Sequence, residues 1–119
     1  MLNQIVLIGR LTKDPELKIY FNNGEQVLCR FVLAVGRPKT KNQAEITDFI
    51  NCVVFHKMAE NLEKFMKKGA LSAVSGQLQV RSYKENGENR YFAEVNVRHL
   101  TFLKNKENKE KENTELLWK

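Results

Sequence analysis

Apolar residues recur at every second position in several segments, which is the repeat of a β-strand with one buried face. In the segment 27–35, for example, Val27, Cys29, Phe31, Leu33 and Val35 share one face, and Arg30 lies on the other. Together with an apolar run near the start, the pattern predicts five strands, over residues 4–11, 27–35, 47–55, 74–83 and 90–103. The pattern is that of an all-β domain.

Turn residues and changes of period separate these strands. Asp14-Pro15 is expected to stop or bend the first strand, because proline cannot donate to a β-ladder. Asn22-Asn23-Gly24 predicts a turn, residues 36–45 a loop, and residues 84–89 a hairpin tip. In the last strand the apolar residues change parity after Val97, which predicts a β-bulge near Arg98-His99.

One segment has the period of a helix. Over 58–68 the apolar residues form a single stripe, made of Met58, Ala59, Leu62, Phe65 and Met66. Gly69 is expected as the residue that follows the helix end. Three strands, a short helix and two further strands closed by a hairpin is the order of an OB-fold, a five-stranded Greek-key barrel.

The strand 47–55 has large apolar side chains on both of its faces. The even positions are expected to face the core, and the odd positions are Phe49, Asn51, Val53 and Phe55. Two phenylalanines on a face that the core does not need favour a platform for stacking flat rings. The alternative is that Phe49 and Phe55 are ordinary barrel or interface residues. Tyr83 is poorly placed for a core, because it ends a polar face beside Arg81.

Composition favours an anionic partner and a reducing compartment. Lys and Arg number 20 against 14 Asp and Glu, a net charge of +6, which favours nucleic acid or a membrane surface. Cys29 and Cys52 lie in apolar runs without CxxC spacing and predict two buried thiols. There is no leader and no apolar run of about 18 residues, so a cytoplasmic protein without membrane contact is expected. No metal or cofactor is predicted.

Residues 104–119 differ from the rest of the chain. They contain five Lys and four Glu and no aliphatic residue before Leu116. This composition predicts a charged, disordered tail that follows a folded domain over 1–103.

Several segments resemble bacterial single-stranded DNA-binding proteins, and they occur in the order of that family. The resemblance covers roughly residues 1–103 and is clearest over 6–16, 33–35, 47–55, 59–61, 68–69 and 74–83. It implies an OB-fold, assembly into homotetramers, and sequence-tolerant wrapping of single-stranded DNA during replication, repair or recombination.

The resemblance also implies a set of DNA-binding residues. The family stacks bases on aromatic rings at the positions of Phe49, Phe55 and Tyr83, and has basic groups at those of Lys57 and Arg81. Asn51 shares the face of the two phenylalanines and is included in the predicted site.

The chain also departs from the family pattern in three places. The segment from Ile19 to Gln26 is about two residues longer than usual. A further aromatic is usual after 33–35, but this chain has Gly36-Arg37-Pro38-Lys39, and Arg37 and Lys39 are expected to contact phosphates instead. The family's long linker and acidic tip are not found in 104–119, so a short form is expected and recruitment of repair proteins is doubtful. An apolar contact through Leu116-Leu117-Trp118 remains an alternative.

Two other functions are compatible with an OB-fold. A nuclease on a similar barrel needs clustered carboxylates for a metal, whereas the acids here are scattered, so an enzyme is not expected. A primosome-type adaptor would be an OB-fold dimer, and oligomer mass separates it from a tetramer. The run Ile5-Val6-Leu7-Ile8 is apolar on both faces, which predicts that one face packs against another subunit.

Overall fold

Six strands and one helix are formed by residues 1–21 and 24–104, the part of the chain that this computed structural model describes. In chain order they are β1 (Ile5–Leu11), β2 (Glu16–Tyr20), β3 (Gln26–Gly36), β4 (Thr47–Phe55), α1 (His56–Phe65), β5 (Leu71–Glu85) and β6 (Glu88–Lys104). Asn22, Asn23 and residues 105–119 lie outside the described residues, and with them most of the predicted turn and tail.

The strands form one sheet that closes on itself. Their order is β1-β5-β6-β4-β3-β2, and an additional pairing of β1 with β3 completes a barrel. β4 and β6 are parallel, with Cys52 opposite Val95, and the other pairs are antiparallel. The closed barrel therefore consists of β1, β3, β4, β5 and β6, which confirms the predicted OB-fold.

The sixth strand, β2, was not predicted. The chain bends at Asp14-Pro15 and then continues along β3, with Glu16 opposite Arg30 and Tyr20 opposite Gln26. β1 and β2 therefore both pair with β3. The sequence pattern missed β2 because it is short and only Leu17 and Pro15 in this region are partly covered.

The core lies between the barrel strands and α1. The predicted inner face of β3 is confirmed, because Val27, Cys29, Phe31 and Leu33 are all buried. Both cysteines are free and buried, as expected. Burial raises the pKa of the Cys29 thiol to about 11 and that of the Cys52 thiol to about 12, so both are protonated at neutral pH.

The helix begins and ends earlier than predicted. Ala59 and Leu62 are buried, but Phe65 is exposed at the helix end, where its ring centroid is 6.2 Å from that of Phe102. Gly69 has a left-handed φ of 86° without being the residue after the helix. The backbone is already extended at Met66, and Gly69 belongs to a turn in which the Ala70 N–H donates to the Lys67 carbonyl.

The hairpin of β5 and β6 extends beyond the rest of the barrel. Leu78, Val80 and Tyr91 have the same parity as the buried Val74, Val95 and Val97 of these strands, but they are exposed because no other strand covers them there. The tip is shorter than predicted, since only Asn86 and Gly87, both with left-handed φ, connect the strands.

The predicted bulge in β6 is confirmed. Ser75 is opposite His99 and Gly76 is opposite Val97, which leaves Arg98 as the extra residue. A second, unpredicted irregularity leaves Leu103 extra between the partners of Leu71 and Ser72. In the described residues, no helix has the length and apolar character needed to cross a membrane.

Candidate nucleic-acid interface

Strand register brings the five predicted site residues that lie on strands onto one side of the barrel, because residues directly opposite in paired strands share a face. We call this side the outer face. Its residues from β3 and β4 are the directly opposite pairs Ala34–Phe49, Val32–Asn51, Arg30–Val53 and Leu28–Phe55. From β5 and β6 it takes Gln79–Glu94, Arg81–Phe92 and Tyr83–Arg90. The parallel pairing of Val53 with Asn96 joins the two halves.

The three predicted stacking aromatics differ in accessibility. Phe49 is 67% exposed and Tyr83 is 50% exposed, so both present much of their ring to solvent. Phe55 is half-buried, and its ring centroid is 6.3 Å from that of His56 at a tilt of 44°. Leu28 and Val53 are buried on this same face, so the odd positions of β4 are less open than the sequence suggested.

Lys57 lies at the start of α1, directly after the end of β4. The chain turns sharply there because His56 has a left-handed φ of 57°. The Lys57 side chain is largely exposed, and its ammonium lies 3.9 Å from the Glu60 carboxylate, a long and weak contact. The cation is therefore available to an anion at this edge of the outer face.

Arg81 is held by a buried carboxylate that sequence reasoning did not select. The Arg81 Nη2 donates to Oε1 of Glu94 at 2.5 Å, and the Glu94 side chain is 0% exposed. Arg30 approaches from the opposite side, with its Nε 3.5 Å from Oε2. Two guanidinium groups with more than two-fifths of their side chains exposed thus flank one buried acid. The sequence of β6 could have placed Glu94 on the outer face, because Glu94 and Phe92 are at even positions and the buried Val95 and Val97 are at odd ones.

Arg37 and Lys39, in the loop between β3 and β4, each have an acidic partner. The Arg37 Nε and Nη2 donate to Oδ2 and Oδ1 of Asp48 at 2.8 and 2.9 Å, and Lys39 lies 3.4 Å from Glu45. The hydrogen bonds from Arg37 lower the pKa of the Asp48 carboxyl below its usual value, so the pair persists at neutral pH. Both cations are therefore present in the loop as predicted, but Asp48 and Glu45 already neutralise their charges.

The outer face also contains a pocket of about 410 Å³ beside β2, β3, β4 and β6. Lys18, Arg30, Asn51, Phe92 and Glu94 are among the residues that line it. In the described ranges, no group of three or more His, Cys, Asp or Glu side chains is arranged to hold a metal ion.

Comparison with known proteins identifies the family. The model of the single-strand binding protein family matches residues 2–103, which is most of the chain. The chain belongs to this family. Among curated relatives in the family, the single-stranded DNA-binding protein of Halalkalibacterium halodurans is 50% identical over 105 residues, covering 87% of this chain and 61% of the relative. Single-stranded DNA-binding protein A of Bacillus subtilis is 47% identical over 108 residues, covering 89% of this chain and 62% of the relative.

A solved structure agrees with the family assignment. The Plasmodium falciparum SSB in complex with ssDNA superposes with a TM-score of 0.74 at 28% sequence identity, covering 87% of this chain and 96% of that chain. The chain spans less than two thirds of the length of these two bacterial relatives.

Proposed function

We propose that this family member binds single-stranded DNA in the cytoplasm without sequence specificity and protects it during replication, recombination and repair. The observation that carries the proposal is the exposure of Phe49 and Tyr83, from distant segments, on one continuous face that also presents Arg30 and Arg81. Exposed rings are costly to leave in water unless they meet a flat apolar partner, and every base has such a surface. No catalytic step is assigned.

Stacking and charge have separate roles in this proposal. Phe49, Phe55 and Tyr83 stack on bases, and each stacked base contributes about 1–3 kcal/mol. Lys57 and Arg81 contact phosphates, with Asn51 beside them as a polar contact. Neutralised phosphates release counterions, so affinity falls with added salt.

The direct test compares labelled oligo-dT with a duplex of the same length. We expect tight binding to the single strand, weak binding to the duplex, and a clear loss of affinity between about 50 and about 200 mM salt. Fluorescence anisotropy measures all three quantities. Equal affinity for the duplex and the single strand would contradict the proposal.

The ion pair of Arg37 gives a second prediction. Asp48→Asn removes the acceptor charge that occupies the Arg37 guanidinium at 2.8 and 2.9 Å. The freed cation is expected to tighten oligo-dT binding. It should also steepen the slope of log affinity against log salt concentration by about 0.7, the value for one additional phosphate contact on a single strand. Glu63→Gln, the same charge change on α1, should leave the slope unchanged. An unaltered slope in D48N would mean that Arg37 does not reach the DNA.

We further propose that the chain assembles into homotetramers through the outward side of β1. Ile5 and Leu7 pack against the core, whereas Val6 is 63% and Ile8 is 56% exposed on the other side of the strand. Two adjacent exposed aliphatic side chains in a regular strand are suited to burial against another copy.

Assembly is tested by mass. Light scattering should report about four times the 13.9 kDa of one chain. Ile8→Glu should dissociate the assembly, because it would bury a charge in the interface, while Ile46→Glu in the exposed β3–β4 loop should leave the mass unchanged. A wild-type monomer at micromolar concentration would refute this proposal, and a dimer would favour the adaptor-type relative.

A further inference from the structure

A buried carboxylate oxygen on the outer face has no hydrogen-bond partner. The Glu94 side chain is 0% exposed, and its Oε1 accepts from Arg81. Its Oε2 accepts no hydrogen bond from any described residue, and the nearest cation, Arg30 Nε, is 3.5 Å away in poor geometry. A buried acceptor without a donor is unfavourable, so a ligand that brings a donor to this oxygen would gain a hydrogen bond there.

The pocket beside Glu94 has the size and lining for a flat polar ring. Its volume of about 410 Å³ lies within the usual range for small-molecule sites. Phe92 offers a partly exposed ring, and Asn51 a half-buried amide whose side chain makes no hydrogen bond within the described part of the chain. The charged lining is mixed, because Lys13, Lys18 and Arg30 contribute cations and Asp14 and Glu16 contribute acids beside Glu94.

We propose that this pocket takes one base of the bound strand and that Oε2 of Glu94 accepts a hydrogen bond from its exocyclic amino group. A carboxylate is the matching acceptor for the N4 amino group of cytosine. Thymine has no exocyclic amino group. Its O4 is itself an acceptor, so it could not hydrogen-bond with Oε2. Binding is therefore sequence-tolerant over most of the strand but favours an amino-bearing base at this one position. The inference rests on the proposed function.

Two arginines beside Glu94 reduce its repulsion of an anionic strand. Arg81 and Arg30 flank Glu94 at 2.5 and 3.5 Å, so the cluster of three has a net positive charge. Because the contact of Arg30 is longer than a hydrogen bond and its side chain is 42% exposed, the guanidinium can turn towards a phosphate when a base enters. Phe92 then lies beside the base as a stacking partner.

The test uses the wild-type protein and two oligonucleotides of about eight nucleotides. One is oligo-dT, and the other has a single 5-methylcytosine, which differs from thymine only in the ring edge that carries the amino group. We expect the 5-methylcytosine strand to bind about fivefold more tightly. Equal affinities, with the substitution placed at each position in turn, would overturn the inference and leave the proposed function intact. Failure to bind either strand would overturn both.

Two variants assign the preference to Glu94. Glu94→Gln keeps an oxygen for Arg81 and replaces Oε2 with an amide donor, so we expect the preference to be lost or to reverse towards thymine. Glu63→Gln is the matched control and should keep the wild-type preference. A folded E94Q that still favours 5-methylcytosine would overturn the assignment. If thermal melting shows that E94Q does not fold, the wild-type comparison decides.

Discussion

Replacing Phe49 or Tyr83 by alanine is expected to weaken binding of oligo-dT by about 5- to 150-fold, the equivalent of 1–3 kcal/mol for one stacked base. Both rings are at least half exposed, so their removal leaves no cavity and the fold should survive. Phe55→Ala should have a smaller effect on binding, because that ring is half-buried against the barrel. Anisotropy titrations at one fixed salt concentration measure each change.

Tyr91 is the matched control for Tyr83. It is 71% exposed on the same hairpin, but it is opposite Ser82 and therefore lies on the other face of the two strands. Tyr91→Ala removes the same aromatic area, and we expect affinity for oligo-dT to remain close to that of the wild type. If Tyr91→Ala weakened binding as much as Tyr83→Ala, the outer face would not be the DNA-binding face.

The alternating pattern predicted the fold well where a second layer covers the strand. Cys29 and Leu33 of β3 are buried as expected, since α1 and the opposite barrel wall lie over them. Val80 and Tyr91 share the parity of buried residues in their strands and are nevertheless exposed, because the hairpin extends past the strands that could cover it. Alternation describes which side chains share a face, but whether that face is covered depends on the lengths of neighbouring strands, which are a property of the whole sheet.

The candidate site was predictable in its aromatic residues and not in its ion pairs. Parity and the family resemblance both placed Phe49 and Tyr83 outside the core, and their exposure agrees. Their role in binding stays a prediction. The pairing of Arg81 with Glu94 depends on the register of β5 and β6, in which Glu94 is opposite Gln79. An acid on a face proposed to bind a polyanion was not expected, so Glu94 was overlooked.

The second large effect is expected in stability, at Gly76 of β5. This glycine faces inward next to the bulge at Arg98, where β5 and β6 approach closely. An added Cβ would overlap the backbone carbonyl oxygen of Asn96, which cannot move aside as a flexible side chain could. We expect Gly76→Ala to lower the free energy of unfolding by about 3 kcal/mol, and Tm by about 10 °C. Circular dichroism during urea and thermal unfolding measures both.

Gly36→Ala makes the same chemical change where there is space. No heavy atom lies within 4 Å of the Cβ position at Gly36, and its φ is not in the left-handed region. Both substitutions remove glycine's flexibility from the unfolded chain, which by itself favours the folded state slightly. Gly36→Ala should therefore be neutral or mildly stabilising. The difference in free energy of unfolding between the two variants then gives the cost of the steric overlap between the Cβ added at Gly76 and β6. The variants are compared at equal protein concentration, because assembly also affects Tm. If Gly76→Ala unfolded with the same midpoint as Gly36→Ala, β5 and β6 would not approach as closely as the barrel requires.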